Sequence, residues 1–151
     1  MRSTDVHMST SHRIVLIEEL DKLYAELIAH AHKLAAAYLE EATTIHGSTR
    51  RQVQMLIQVK RHTPQSWGIY WAKNTAAPGT PAIPLTINKG ARDNYPVGTF
   101  SPVKEPLKTL CRNYEKRLAL IRAACRQNRS LRRTLEAHAR QVTAAINYYR
   151  S

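Results

Sequence analysis

Two sets of side chains in this 151-residue sequence have types and spacings that could do chemistry. The first is catalytic in character. His30-Ala31-His32 offers two imidazoles that could share a divalent metal, and Tyr148-Tyr149 offers paired phenolic nucleophiles, the equipment of rolling-circle nucleases. That chemistry needs a strand, where residues i and i+2 point the same way. These histidines lie in a helical pattern, in which positions two apart diverge by about 200°. The remaining histidines and the two cysteines show no CxxC, no HxxxH and no carboxylate at ligand spacing. The five glycines are spread singly, so no phosphate-cradling loop is present, and no Ser-His-Asp or Cys-His arrangement emerges. The expectation is a binding protein with no catalytic residue, metal or cofactor.

The second set suits DNA. Gln54, Gln58, Lys60, Tyr70, Asn74 and Asn88, with Thr86, fall on alternate positions of extended segments. Their amides and ammonium groups can bond base edges, and a β-ribbon fits the major groove. An antiparallel sheet ordinarily carries a polar, solvated outer face, so recognition rests on the flanking cations. These are Arg50, Arg51, Lys60, Arg61, Lys73, Lys89 and Arg92, gathered at strand ends where phosphate contacts would position the ribbon. Further on, Arg122, Arg126, Arg129, Arg133 and Arg140 follow steps of four, three, four and seven, one stripe on a continuous helix. Such a stripe either runs along a phosphate backbone or pairs internally with Glu18, Glu19, Glu26, Glu40 and Glu41.

Charge supports the second set. Residues 1–47 balance to −3 and residues 48–151 to +15, within a net charge of +12. A surplus confined to one stretch addresses a polyanion. Seven acids in the first stretch cannot neutralise nineteen cations in the second.

The elements that must position these groups are legible in the periodicities. Residues 11–151 are expected as one domain behind a flexible tail, 1–10, with Met8 as an alternative start. From Ser11 to His46, Leu20, Tyr24, Leu27, Ala31, Leu34, Tyr38 and Ile45 form a heptad seam in one long helix, with Glu41 in its polar slot and Gly47 as the stop. The seam either packs on the same chain, the default, or forms a homodimer. Residues 52–89 then alternate with period two (Val53, Met55, Ile57, Val59; Trp67, Ile69, Trp71; Ile83, Leu85, Ile87) and predict a three-stranded antiparallel meander. A helix over 49–61 is the competing reading. Pro84 puts the third strand at an edge, and residues 76–81 (AAPGTP) form a loop. Residues 102–150 read as one or two basic helices, with a break offered at Asn128-Arg129-Ser130. Cys111 and Cys125 stand roughly 21 Å apart on a straight helix, too far to bridge. They are expected buried and reduced. The apolar run Ile14-Val15-Leu16-Ile17 is too short for a membrane span, and no membrane partner is expected. The fold class is α+β and the expected location cytoplasmic.

The meander also carries a family resemblance. Ile69-Tyr70-Trp71, Lys73-Asn74, Ile87-Asn88-Lys89-Gly90, Tyr95-Pro96 and Phe100, followed by Glu115, Arg117 and Ile121-Arg122, resemble the MobI-like conjugative transfer proteins over residues 66–125. The resemblance implies a relaxosome accessory factor of plasmid mobilisation. Such a factor binds double-stranded DNA at the origin of transfer and helps the relaxase act, without cutting. By the same resemblance Lys89, Gly90, Tyr95 and Pro96 form a shaped loop, in which Gly90 takes a positive torsion or approaches a phosphate closely. Asn88 departs from the pattern, where a second basic residue would stand. Two other classes remain open: an RNA-binding or ribosome-associated protein, and an adaptor whose heptad helix docks another protein.

Overall fold

The computed structural model describes residues 2–46, 53–75 and 83–148. Along the chain run α1 (Arg2–His46), β1 (Met55–Thr63), β2 (Ser66–Thr75), β3 (Ile83–Thr86), a short 3-10 helix (Val97–Phe100) and α2 (Leu107–Tyr148). This is the expected α+β architecture. Neither long helix contains Gly or Pro, so nothing interrupts its hydrogen-bond ladder. Gly47, Arg50, Arg51, the 76–81 loop and Tyr149 lie outside the described residues.

The strands form one antiparallel sheet in the order β1-β2-β3, which puts β3 and its Pro84 at an edge. Ile57 pairs with Trp71 and Val59 with Ile69, so the apolar alternation of both strands falls on one face. The competing helix over 49–61 is therefore excluded across β1. β3 pairs only with Ala72–Thr75. Past Trp71 the sheet narrows to a two-stranded ribbon that ends at Pro64-Gln65, with a register shift between Arg61 and Thr63.

The chain expected as one domain divides by its contacts into two compact units, and each long helix contributes to both. The larger, residues 28–123, holds the sheet. Tyr38 of α1 is buried at its centre: the ring stands edge-on to Trp71 and Tyr114, with centroids 5.1 and 5.4 Å away. The Tyr38 hydroxyl donates to the Met55 carbonyl at 2.7 Å and meets the Cys111 thiol at 3.5 Å. Burial, then Cys111, push the Tyr38 phenol well above its ordinary range. On α2, Leu107, Tyr114, Leu118 and Ile121 are buried along one stripe, and Leu110 beside them is half-buried.

The smaller unit comprises residues 1–27 with 124–151. Cys125, the last member of that stripe, is buried here. Of the one or two helices expected here the structure has one, and α2 continues unbroken past Asn128. Asn128 caps nothing; its amide donates to the Leu20 carbonyl at 2.8 Å. Farther along α2, Leu131 is exposed while Ala139 is buried.

Two boundaries differ from expectation. Helix was predicted from about Pro102, but α2 begins at Leu107, since Pro106 has no N–H to continue a ladder backwards. Tyr24, Ala31, Leu34 and Tyr38 of the heptad seam are buried, but Ile28 is buried beside a half-buried Leu27, and past Tyr38 the line passes to Ala42, leaving Ile45 39% exposed. A straight helix drifts about 20° per heptad against a 3.5-residue repeat, which moves the buried line by one position. Tyr24, Ala31, Leu34 and Tyr38 are all buried by the same chain, so a homodimer through this seam would need a surface already in use.

Candidate nucleic-acid interface

One face of the sheet is occupied by the core; the other carries the predicted polar residues, with the buried Leu56–Ala72 pair on the same side. In the register, Gln58 stands opposite Tyr70, Lys60 opposite Gly68, and Ala72 opposite Thr86, all on one side. Their side chains are linked. Lys60 Nζ donates to Thr86 Oγ1, which donates to Gln58 Oε1 at 2.7 Å. The Tyr70 hydroxyl and His62 Nε2 lie 2.7 Å apart, with their rings edge to face. Tyr70 lies across Gly68, where a Cβ would come within 2.3 Å of its ring, so glycine is what allows the ring to lie there. Gln54 and Asn74 continue this face through the backbone bond from Asn74 N to the Gln54 carbonyl, 2.9 Å. His62 and Gly68 were missed by sequence reasoning. His62 stands two residues beyond Lys60 in the same alternation, within β1.

The cations flanking the strands divide. Lys73 and Arg92 are exposed. Arg61 bends toward the hairpin, where its guanidinium reaches the Thr63 and Pro64 carbonyls at 3.4 Å. Lys89 turns into its own loop, donating to the Arg92 carbonyl at 2.9 Å. Asn88, the departure from the basic pattern, acts locally, for its Oδ1 accepts the Gly90 N–H at 2.8 Å in an Asx turn. Gly90 has φ of +75°, so the torsion expected of it is realised.

Tyr95 anchors this loop inside the sheet. Trp71 N donates to the Tyr95 hydroxyl at 3.1 Å, and that hydroxyl donates to the Ile87 carbonyl at 2.7 Å. Ile87 N still donates to the Trp71 carbonyl at 2.8 Å, so the phenol is a wedge in a ladder that has opened on one side. Burial raises the Tyr95 pKa, against the lowering effects of the Trp71 N–H and Arg122, and keeps the phenol a neutral donor.

Beneath the loop lies a buried ion pair. Arg122 Nη1 donates to both Glu115 oxygens, at 2.8 and 3.0 Å. The carboxylate also accepts Trp71 Nε1 at 3.0 Å and Tyr95 N at 2.8 Å. Arg122 Nε and Nη1 reach the Ile69 and Asp93 carbonyls, and the guanidinium stacks on Tyr95, 5.0 Å from the centroid. This corrects the predicted stripe: Arg122 is 6% exposed and ties α2 to β2 and the loop, with no surface for a phosphate. Glu115 and Arg122 are seven apart, so both fall on one helix face, the only clue the sequence held.

Arg129 is likewise drawn inward. It stacks on Tyr24 at 4.0 Å and pairs with Asp21 at 2.9 Å, where Arg132 joins it at 3.0 Å. Burial opposes ionisation of Asp21, but the hydrogen bonds and charges of the two arginines outweigh it and hold the carboxyl below its ordinary value. Internal pairing in this unit thus uses Asp21. Arg126, Arg133 and Arg140 are exposed.

His30 and His32 sit on α1 as anticipated, with His32 edge-on to Trp67 at 5.6 Å. Among the described residues, no group of three or more His, Cys, Asp or Glu side chains could hold a metal, and no helix is long and apolar enough to cross a membrane.

No curated protein and no solved structure matches the chain. A family model does, that of the MobI protein, over residues 27–136. That stretch contains the sheet, the Asn88–Tyr95 loop and the buried Glu115–Arg122 pair, and extends well beyond the 66–125 resemblance read from the sequence. The chain therefore belongs to the MobI family, whose members are accessory proteins of conjugative mobilisation.

Proposed function

We propose that the protein is a non-enzymatic, cytoplasmic DNA-binding factor that recognises the origin of transfer as a duplex and helps the relaxase act there. The observation that carries this reading is the outer face of the β1-β2 ribbon. Beyond Trp71 only two strands remain, the width that fits a major groove. There Gln58 and Lys60 are joined by Thr86 of β3 in one hydrogen-bonded array, with Tyr70 opposite Gln58 and bonded to His62, all backed by a packed core. A side chain held by its neighbours loses little further freedom on meeting a base edge, which favours recognition over loose attraction. Lys73 and Arg92 supply phosphate contacts at the borders, with Gln54, Asn74 and Asn88 flanking the array. In the smaller unit, the exposed Arg126 and Arg133 of α2 would make phosphate contacts of their own, which hold without specifying. Arg122 and Arg129 have no part in this surface.

Fluorescence anisotropy with a transfer-origin duplex and an unrelated duplex, across a salt series, tests the reading. Log affinity should fall linearly with log salt. Lys73→Ala should weaken both duplexes alike and reduce the salt slope by about one. Gln58→Ala should relax the preference for the origin by about tenfold, at the lower end for a lost base contact. Equal affinity for every duplex would overturn specific recognition, and no binding at low salt would overturn the DNA reading altogether. Tighter binding of structured RNA at matched salt would redirect it to RNA.

A further inference from the structure

The 28–123 unit contains a second surface that the DNA reading does not use. Between residues 94–100 and α2 lies an open, largely apolar pocket of about 530 Å³, within the size range of ligand sites. None of the polar sheet residues lines it. Its floor is rigid: Phe100 stands edge-on to Trp71 at 5.1 Å, and Tyr95 is pinned by the sheet and by Glu115. Its rim is exposed and aliphatic, with Val97 at 77% and Leu120 at 74%. Along α2, Lys108, Arg112, Lys116 and Leu120 are spaced by four and so share one line beside the opening. Arg112 and Lys116 line the pocket, are exposed, and form no ion pair among the described residues.

We infer that this pocket docks a protein segment in which a bulky apolar side chain is flanked by Asp or Glu. The apolar walls would take the side chain, and the Lys108-Arg112-Lys116 line would face the carboxylates. Single-stranded nucleic acid shares the negative charge but fits the walls poorly. Base binding draws on aromatic faces, worth about 1–3 kcal/mol per base, whereas the two rings here, Tyr95 and Phe100, are only 3% and 2% exposed. The Glu115 oxygens already accept four hydrogen bonds and offer nothing to a base edge. A pre-formed apolar cup beside a basic line matches an acidic, hydrophobic peptide.

The test uses the full chain and an array of twelve-residue synthetic peptides. Each has a central Leu, Phe or Trp flanked by Asp/Glu, by Lys or by Ser, with central Ala as control. Peptides combining a bulky centre with acidic flanks should bind, and their affinity should fall about tenfold or more in Leu120→Glu and in the Arg112→Glu/Lys116→Glu double variant. Leu120 is exposed, so its replacement leaves the core intact, and far-UV circular dichroism checks this. Lys60→Ala, on the sheet face, should leave peptide binding unchanged. No preference for acidic flanks, or binding indifferent to Leu120→Glu, would overturn the inference. So would a short oligothymidylate that binds in a Leu120-dependent manner where no acidic peptide does. Duplex binding measured on the same Leu120→Glu protein should stay unchanged, which separates this site from the proposed DNA surface.

Discussion

Replacing Glu115 with alanine should destabilise the 28–123 unit by about 3–5 kcal/mol, the usual loss when one partner of a buried ion pair is removed. The structure shows why the figure is large. Arg122 would keep its charge in a site where its side chain is 5% exposed, with only the Ile69 and Asp93 carbonyls as partners. Trp71 Nε1 and Tyr95 N would lose their acceptor as well, and each orphaned donor is worth about 1–3 kcal/mol. Because Glu115 also lines the open pocket, water can reach part of the vacancy and keeps the sum within the lower range. Against a typical domain stability of about 5–15 kcal/mol, such a loss is a large fraction of the total. Both tryptophans, Trp67 and Trp71, lie on β2, so intrinsic fluorescence during urea unfolding reports on this unit. The Glu115→Ala/Arg122→Ala double variant should lose less than the sum of the single losses by about 2 kcal/mol or more, because the stranded charge is gone. A loss under about 1 kcal/mol in Glu115→Ala, or strict additivity in the cycle, would refute the view that this pair holds α2 to the sheet.

Two further outcomes follow from local geometry. Gly68→Ala would put a Cβ into the Tyr70 ring, so the ring should swing off the strand and release His62. The stability loss should be no more than about 1 kcal/mol, the cost of moving one flexible side chain. The NMR contact between the Tyr70 ring and residue 68 should vanish, and its survival would contradict the packing. The buried thiols should titrate late, since burial raises Cys111 and Cys125 from the ordinary 9.0 to about 11, with the Tyr38 hydrogen bond acting the other way at Cys111 and the Arg129 charge at Cys125. A raised folded pKa means that the stability tied to the neutral thiols is complete below pH 9.0 and is lost as pH rises through about 11. Iodoacetamide should therefore label neither thiol appreciably at pH 8 without urea, and rapid labelling there would show that they are exposed.

The meander, the long first helix, the helical character of the C-terminal third and the polar outer face were readable because each is a periodicity of neighbouring residues. Period two across residues 53–59 and 67–71 sets β1 against β2, and spacing by three and four across 107–125 sets the buried stripe of α2. The boundaries were less readable. Pro106 moved the start of α2, and helical drift moved the buried line of α1 from the heptad position to Ala42. The candidate site was legible where it belongs to the sheet alternation (Gln58, Lys60, Tyr70) and misread where it belongs to the arginine spacing. Steps of four, three and four put Arg122, Arg126, Arg129 and Arg133 on one line but say nothing about what faces that line.

The sequence by itself determined a basic chain with a long helix first, alternating segments with one apolar and one polar face next, and basic helical sequence after them. Alternation and charge are local properties, written in consecutive residues. Only the tertiary structure decided which cations stay at the surface, because an arginine is withdrawn by groups far along the chain: Arg122 by the Ile69 carbonyl, Arg129 by Tyr24 and Asp21. The same holds for the Tyr95 wedge in the sheet and for the pocket beside Leu120. The wedge exists because the loop closes on the strand backbone at Trp71 and Ile87, and the pocket because the same loop folds against residues 112–120 of α2; no spacing within any one segment encodes these meetings.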